Sequence, residues 1–234
     1  MDGIFSQEHI IRNFPKKYAT WRKVRDNALF FTFSIVVHPR KNLLTQKDMM
    51  KAKSTLRRGD IVLIGDLKTA FASLIKDPIT HSAIYVGSRK FIHAVADGVC
   101  YTSLHDFFSK YDTMIILRAN ARYSVIENAI KYAENQIGKP YNYAFREGHK
   151  SFFCAQLVND AYKHANYKTK LISVSKPKKW TKKLKDEITG AVEALHPMHF
   201  LVGNFDIKFM SHDLRYKNQE LTFFNKDYIV VKKV

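Results

Sequence analysis

Two cysteines in 234 residues, Cys100 and Cys154, are too few for a disulfide framework, and the chain reads as one made for a reducing compartment. Its first residues, Met1-Asp2-Gly3-Ile4-Phe5-Ser6-Gln7-Glu8, lack the basic start and apolar core of a signal peptide. The longest apolar run, Leu29 to Val37, is interrupted by Thr32 and Ser34 and falls well short of the ~20 residues that cross a bilayer. These absences predict a soluble, cytoplasmic protein. No internal repeat is visible. Neither a cysteine pair nor an H-E-x-x-H pattern is present, so no metal and no cofactor is expected, and His196-Pro197-Met198-His199 reads as a loop. Acidic residues are scarce too: 21 face 39 basic ones, a formal net charge of +18. Such a balance attracts polyanions and says little about fold.

What is present is a folded domain. The 46% hydrophobic and 13% aromatic content suits one core, with room for an appended lobe. Ile10, Ile11, Phe14, Tyr18, Trp21, Val24 and Ala28 recur at helical spacing and predict an amphipathic N-terminal helix within residues 7–30. Thr45 with Asp48 forms a capping-box pattern for a second helix carrying Met50 and Ala52. Short strands follow at 61–65, 82–87, 90–95 and 98–101, with Gly87 and Gly98 as hairpin punctuation. A short helix near 103–109 and a strand at 114–118 come next. Ser124 with Glu127 reads as the capping box of a helix bearing Val125, Ile126, Ala129, Ile130, Ala133 and Ile137, closed by Gly138 and Pro140. Apolar stretches at 198–209 and 228–232 predict further strands. The mixture is α+β with antiparallel hairpins.

The chemistry concentrates in three residues. Cys154 stands in Ser151-Phe152-Phe153-Cys154-Ala155-Gln156-Leu157-Val158, at the start of a helix. His81 and His93 sit in the strand-like runs Thr80-His81-Ser82-Ala83-Ile84-Tyr85-Val86-Gly87 and Lys90-Phe91-Ile92-His93-Ala94-Val95. A helix N-terminus and a neighbouring imidazolium both favour the thiolate, which is the nucleophilic form. Imidazole suits the base because its pKa lies near the working pH. Cys100 has no comparable context and reads as a core residue.

The order of these motifs resembles the circularly permuted branch of the NlpC-type papain-like cysteine hydrolases, the YiiX/YebB-like group. Gly59-Asp60-Ile61, the His81 strand, Phe91-Ile92-His93-Ala94, Ile137-Gly138-Lys139-Pro140-Tyr141 and Phe153-Cys154-Ala155-Gln156-Leu157-Val158 carry the likeness over roughly residues 57–165. The histidine strands precede the cysteine helix, which is the permuted order. The resemblance implies a papain-like antiparallel sheet packed against helices, with Cys154 as nucleophile, His81 as base, His93 as the third polar member and Tyr141 near the substrate. This chain departs from the group's common Cys-Ser-Glu-Leu-Val at Ala155 and Gln156, and has histidine where the third member is often glutamate. The expected organisation is an N-terminal helical extension (1–56), a catalytic core (57–168) and a basic C-terminal segment packed on it (169–234).

The implied activity is cleavage of an amide bond in a peptidoglycan-type peptide or N-acyl amino acid. Two alternatives stand beside it: a lipid-directed thiol acyltransferase or acylhydrolase at an anionic membrane, and a non-catalytic anion-binding module. The stretch from Lys163 to Lys185, with Lys168, Lys170, Lys176, Lys178, Lys179, Lys182 and Lys183 around Trp180, is the expected contact for an anionic membrane or cell-wall polymer. Nucleic acid is the least favoured partner, because one tryptophan among lysines provides no groove-reading helix and no RNA-binding signature.

Overall fold

The apolar run Ile61-Val62-Leu63-Ile64 does not alternate with polar residues, as befits a strand covered on both faces. It forms β1 (Ile61–Gly65), near the middle of a six-stranded sheet in a computed structural model describing residues 10–38, 40–70, 72, 77–142, 151–171, 195–224 and 229–234. β2 (His81–Gly87), β3 (Lys90–Val95) and β4 (Gly98–Ser103) follow as an antiparallel meander on one side of β1. β5 (Thr113–Ala119) pairs with the other side of β1. Gly98 makes the β3–β4 turn at φ 99°, and a Cβ there would meet the Lys139 carbonyl oxygen at 2.3 Å, so only glycine fits.

Helices cover both faces. α1 (Thr20–Phe33) and α2 (Gln46–Thr55) precede the sheet, and α3 (Leu104–Lys110) links β4 to β5. α4 (Tyr123–Glu134) and α5 (Cys154–His164) pack on each other, and α5 lies on β2 and β3. Strand alternation sorts the core into two clusters. Ile61, Leu63, Ile84, Ile92, Ile115 and Leu117 meet Ala129, Ile130, Leu157, Val158 and Tyr162 on the α4/α5 face. Val62, Ile64, Ala83, Phe91, Met114 and Ile116 meet Ala52, Phe107, Phe108 and Tyr111 on the α2/α3 face.

The expected Thr45–Asp48 capping box is present at α2. The one expected at Ser124 and Glu127 is not: α4 starts after Arg122 with no side-chain cap, and Glu127 reaches Arg58 instead, at 2.7 Å. α4 also ends at Glu134, leaving Ile137 exposed and Gly138 at φ 83° in the following turn. In α1, Trp21 and Val24 face solvent at 56% and 67% exposure, so its apolar spacing does not mark a core face. Cys100 is half-buried in β4, not a core residue.

At the C-terminal end, His196 caps a 3₁₀ turn (Pro197–Leu201) where a loop was expected. β6 (Phe205–Met210) then adds the sixth strand beside β5, giving the order β4-β3-β2-β1-β5-β6. β7 (Leu214–Lys217), β8 (Glu220–Phe224) and β9 (Ile229–Lys233) form a separate three-stranded antiparallel sheet whose Leu214, Leu221 and Phe223 join the α4/α5-face core. Residues 195–224 therefore contribute to the core of the molecule.

Candidate active site

Cys154 is the first residue of α5, 7% exposed, at the helix end where backbone N–H groups lack intrahelical partners. α5 carries it to the start of β2. There the N–H of Ser82 donates to the sulfur, alongside that of Ala155. Ser82 is free to do so because the β2–β3 pairing ends at Ile84↔Ile92, short of the first residues of β2. The buried Ser82 hydroxyl also lies against the sulfur, and among the described residues it has no well-aligned hydrogen-bond partner.

His81 opens β2 and is half-buried; His93, in mid-β3, is 3% exposed. By alternation both side chains fall on the α2/α3 face. His93 lies 6.2 Å from the Phe107 ring, and His81 stacks on Tyr111 at 6.3 Å. The imidazoles meet directly, His81 Nε2 standing 3.0 Å from His93 Nδ1. The thiol belongs to the helix on the opposite face. It comes to the histidine strand at the place where β2 and β3 part, beside His81's chain neighbour Ser82.

Electrostatics give each group a state. Burial, reinforced by the Lys110 charge, pushes His93 down to about 3, so it is neutral at any ordinary pH. In the His81–His93 contact one imidazole nitrogen donates and the other accepts, and the tautomers decide which. Burial pushes the Cys154 thiol up, against the pull of the surrounding N–H donors. The sequence predicts a lowered thiol; the desolvated resting site holds it protonated.

Tyr141 is brought to the same neighbourhood through its backbone. It bridges Phe152, two residues before the nucleophile, with Asn142 N–H on the Phe152 carbonyl and Phe152 N–H on the Pro140 carbonyl. Asn142 Nδ2 then donates to Gln156 Oε1 at 3.3 Å, both side chains being buried. The sequence analysis does not single out Ser82, which the structure sets against the sulfur; a lone serine between His81 and an apolar strand interior is the signal for it. His196 and His199 cap each other's turn, and among the described residues no three His, Cys, Asp or Glu stand together to hold a metal ion. Most of the lysine-rich stretch around Trp180 lies outside the described residues, as do Lys176, Lys178, Lys179, Lys182 and Lys183.

A family model described as permuted papain-like amidase enzyme, YaeF/YiiX, C92 family, matches residues 55–200. Among solved structures, the metalloprotein yiiX of Escherichia coli O157:H7 is similar at 20% identity and a TM-score of 0.42, over 47% of this chain and 67% of that one. No curated protein matches.

Proposed function

Because the chain belongs to the C92 family of permuted papain-like amidases, and is a cysteine hydrolase of the amide-cleaving kind, we propose that Cys154 is its nucleophile, His81 its base and His93 the residue that orients His81. The observation that carries this is the 3.0 Å contact between His81 Nε2 and His93 Nδ1, one residue along the chain from the serine that donates to the thiol. As Sγ attacks the amide carbon, its proton passes to His81 and the carbonyl electrons go to oxygen. The oxyanion collapses, the C–N bond breaks, and the amine leaves with the proton from His81. Water then attacks the thioester with His81 as base, and the carboxylic acid is released. A protonated resting thiol makes His81 a base acting during attack, not the partner of a preformed ion pair. The N–H of Cys154, at the open end of α5, is the donor offered to the oxyanion, while those of Ser82 and Ala155 face the sulfur; loss of one oxyanion donor typically costs roughly 3 kcal/mol.

The substrate class is a short peptide of peptidoglycan type or an N-acyl amino acid, with Tyr141 at its edge. A second reading, acyl transfer from lipid at an anionic membrane, draws support from α1: its exposed Trp21, Val24 and Phe31 have Arg22 and Arg25 over the indole at 5.3 and 5.4 Å. The deciding experiment follows product release by mass spectrometry from both amide classes, in a Cys100→Ser background, with Cys154→Ala and His81→Ala. Alkylation of Cys154 is measured against pH in parallel. Cleavage lost in both variants, with alkylation rising only in the alkaline range, is the expected result. Cleavage surviving in Cys154→Ala would overturn the assignment.

A further inference from the structure

A cleft of about 750 Å³ opens on the α2/α3 face of the sheet and takes no part in the chemistry above. Its walls come from the segment before α2, from α2, from the β2–β3 turn and from α3. Lys41 reaches it from the segment before α2, Lys53 from α2, Lys68 from the turn after β1 and Arg89 from the β2–β3 turn, and no carboxylate lines it. The acids on the bordering segments have partners of their own: Asp48 has Thr45 and His212, Asp66 the Lys68 backbone N–H, Asp106 the lining Ser103, and Asp112 has Arg40. Asn42 accepts from Lys68 Nζ and donates to the Ser109 carbonyl, bracing one wall. Leu44, Met49, Leu104 and Phe108 give the lining an apolar part, and Ser103, His105 and Ser109 complete it. Arg89 is held in the turn at φ 59°, a conformation that a side chain adopts rarely, and Leu104 N–H bonds its carbonyl.

We infer that this cleft binds an anionic amphiphile, an oxyanion headgroup held by Lys41, Lys53, Lys68 and Arg89 with a short apolar chain against Leu44, Met49, Leu104 and Phe108. Its size is that of a small-molecule site. Four cations with no carboxylate among them repel one another, and an oxyanion relieves that repulsion while accepting their hydrogen bonds. The apolar half separates this ligand from free phosphate, which would leave that surface bare to water. The cleft lies across the sheet from α5, so the inference does not rest on the catalytic reading.

Calorimetric titration tests it with three probes below their micelle concentrations: dihexanoylphosphatidic acid, dihexanoylphosphatidylcholine and inorganic phosphate. The phosphatidic acid binds saturably, and at least about tenfold more tightly than inorganic phosphate, which competes with it. The choline lipid does not bind. In Lys53→Glu/Arg89→Glu, both at exposed positions, the phosphatidic acid affinity falls at least about tenfold while the thermal melt stays in place. Cys154→Ala binds it as the unaltered protein does, which separates this outcome from that of the catalytic proposal. No saturable binding, equal binding of the choline lipid, phosphate as tight as phosphatidic acid, or indifference to the double charge reversal would each overturn the inference.

Discussion

Two kinds of buried polar centre flank the same sheet, and they are built on opposite rules. Asp60 and Asp112 are fully buried carboxylates with their hydrogen-bonding capacity used. Asp112 accepts from Arg40 at 2.8 and 3.3 Å and from the N–H groups of Leu43 and Leu67. Asp60 takes Arg118 through two nitrogens at 2.7 Å, plus Arg57 N–H. Each ties distant segments together with a charge that is both paired and hydrogen-bonded. The group of Cys154, Ser82, His81 and His93 is buried except at His81 and carries no carboxylate: His93 is kept neutral, the thiol is kept protonated, and among the described residues the Ser82 hydroxyl has no well-aligned partner. Saturated burial holds a fold in one state. Burial with spare capacity keeps groups ready to change protonation.

Removing a member of the saturated kind gives the largest expected effect. Asp112→Ala strands the Arg40 guanidinium and two backbone donors and costs about 3–5 kcal/mol, read by urea unfolding. A loss below about 1 kcal/mol would erase the contrast between the two centres.

His93 gives an effect of intermediate size, with a sign that pH exposes. Its pKa falls from the ordinary 6.5 to about 3 on folding, so between those values the unfolded chain binds the extra proton. Stability is then lost as pH falls through that window, at up to about 1.4 kcal/mol per unit. His93→Asn removes this slope and lowers turnover at neutral pH. Unfolding curves at acid and neutral pH check the first effect, and single-turnover rates the second. Ser82→Ala is the smallest: loss of an unsatisfied buried hydroxyl leaves stability within about 1 kcal/mol, while thiol alkylation slows because one polar neighbour of the sulfur is gone.

Much of this arrangement is legible in the sequence. The meander of β2, β3 and β4 follows from glycine-punctuated apolar runs, and the start of α5 at Cys154 from its local pattern. These features are set by residues close in sequence. The pairing of Ala119 with Phe205 is not, and so a sixth strand could not be placed from the chain alone. The same holds for the thiol. Helix start and histidine company argue for a lowered pKa, but the dry surroundings that reverse it come from strands far away in sequence. Ser124 does not cap because the helix already begins at Tyr123, and Glu127 pairs with Arg58, far away in sequence.

β6 carries one more consequence, in the order in which the chain is made. A ribosome delivers β1 to β5 long before Phe205–Met210, so β5 waits with an open edge whose Met114-Ile115-Ile116-Leu117 is wholly apolar. An unpaired apolar edge recruits other strands. Until that segment arrives, β5 keeps an unpaired edge, and a chain stopped before residue 205 would keep it.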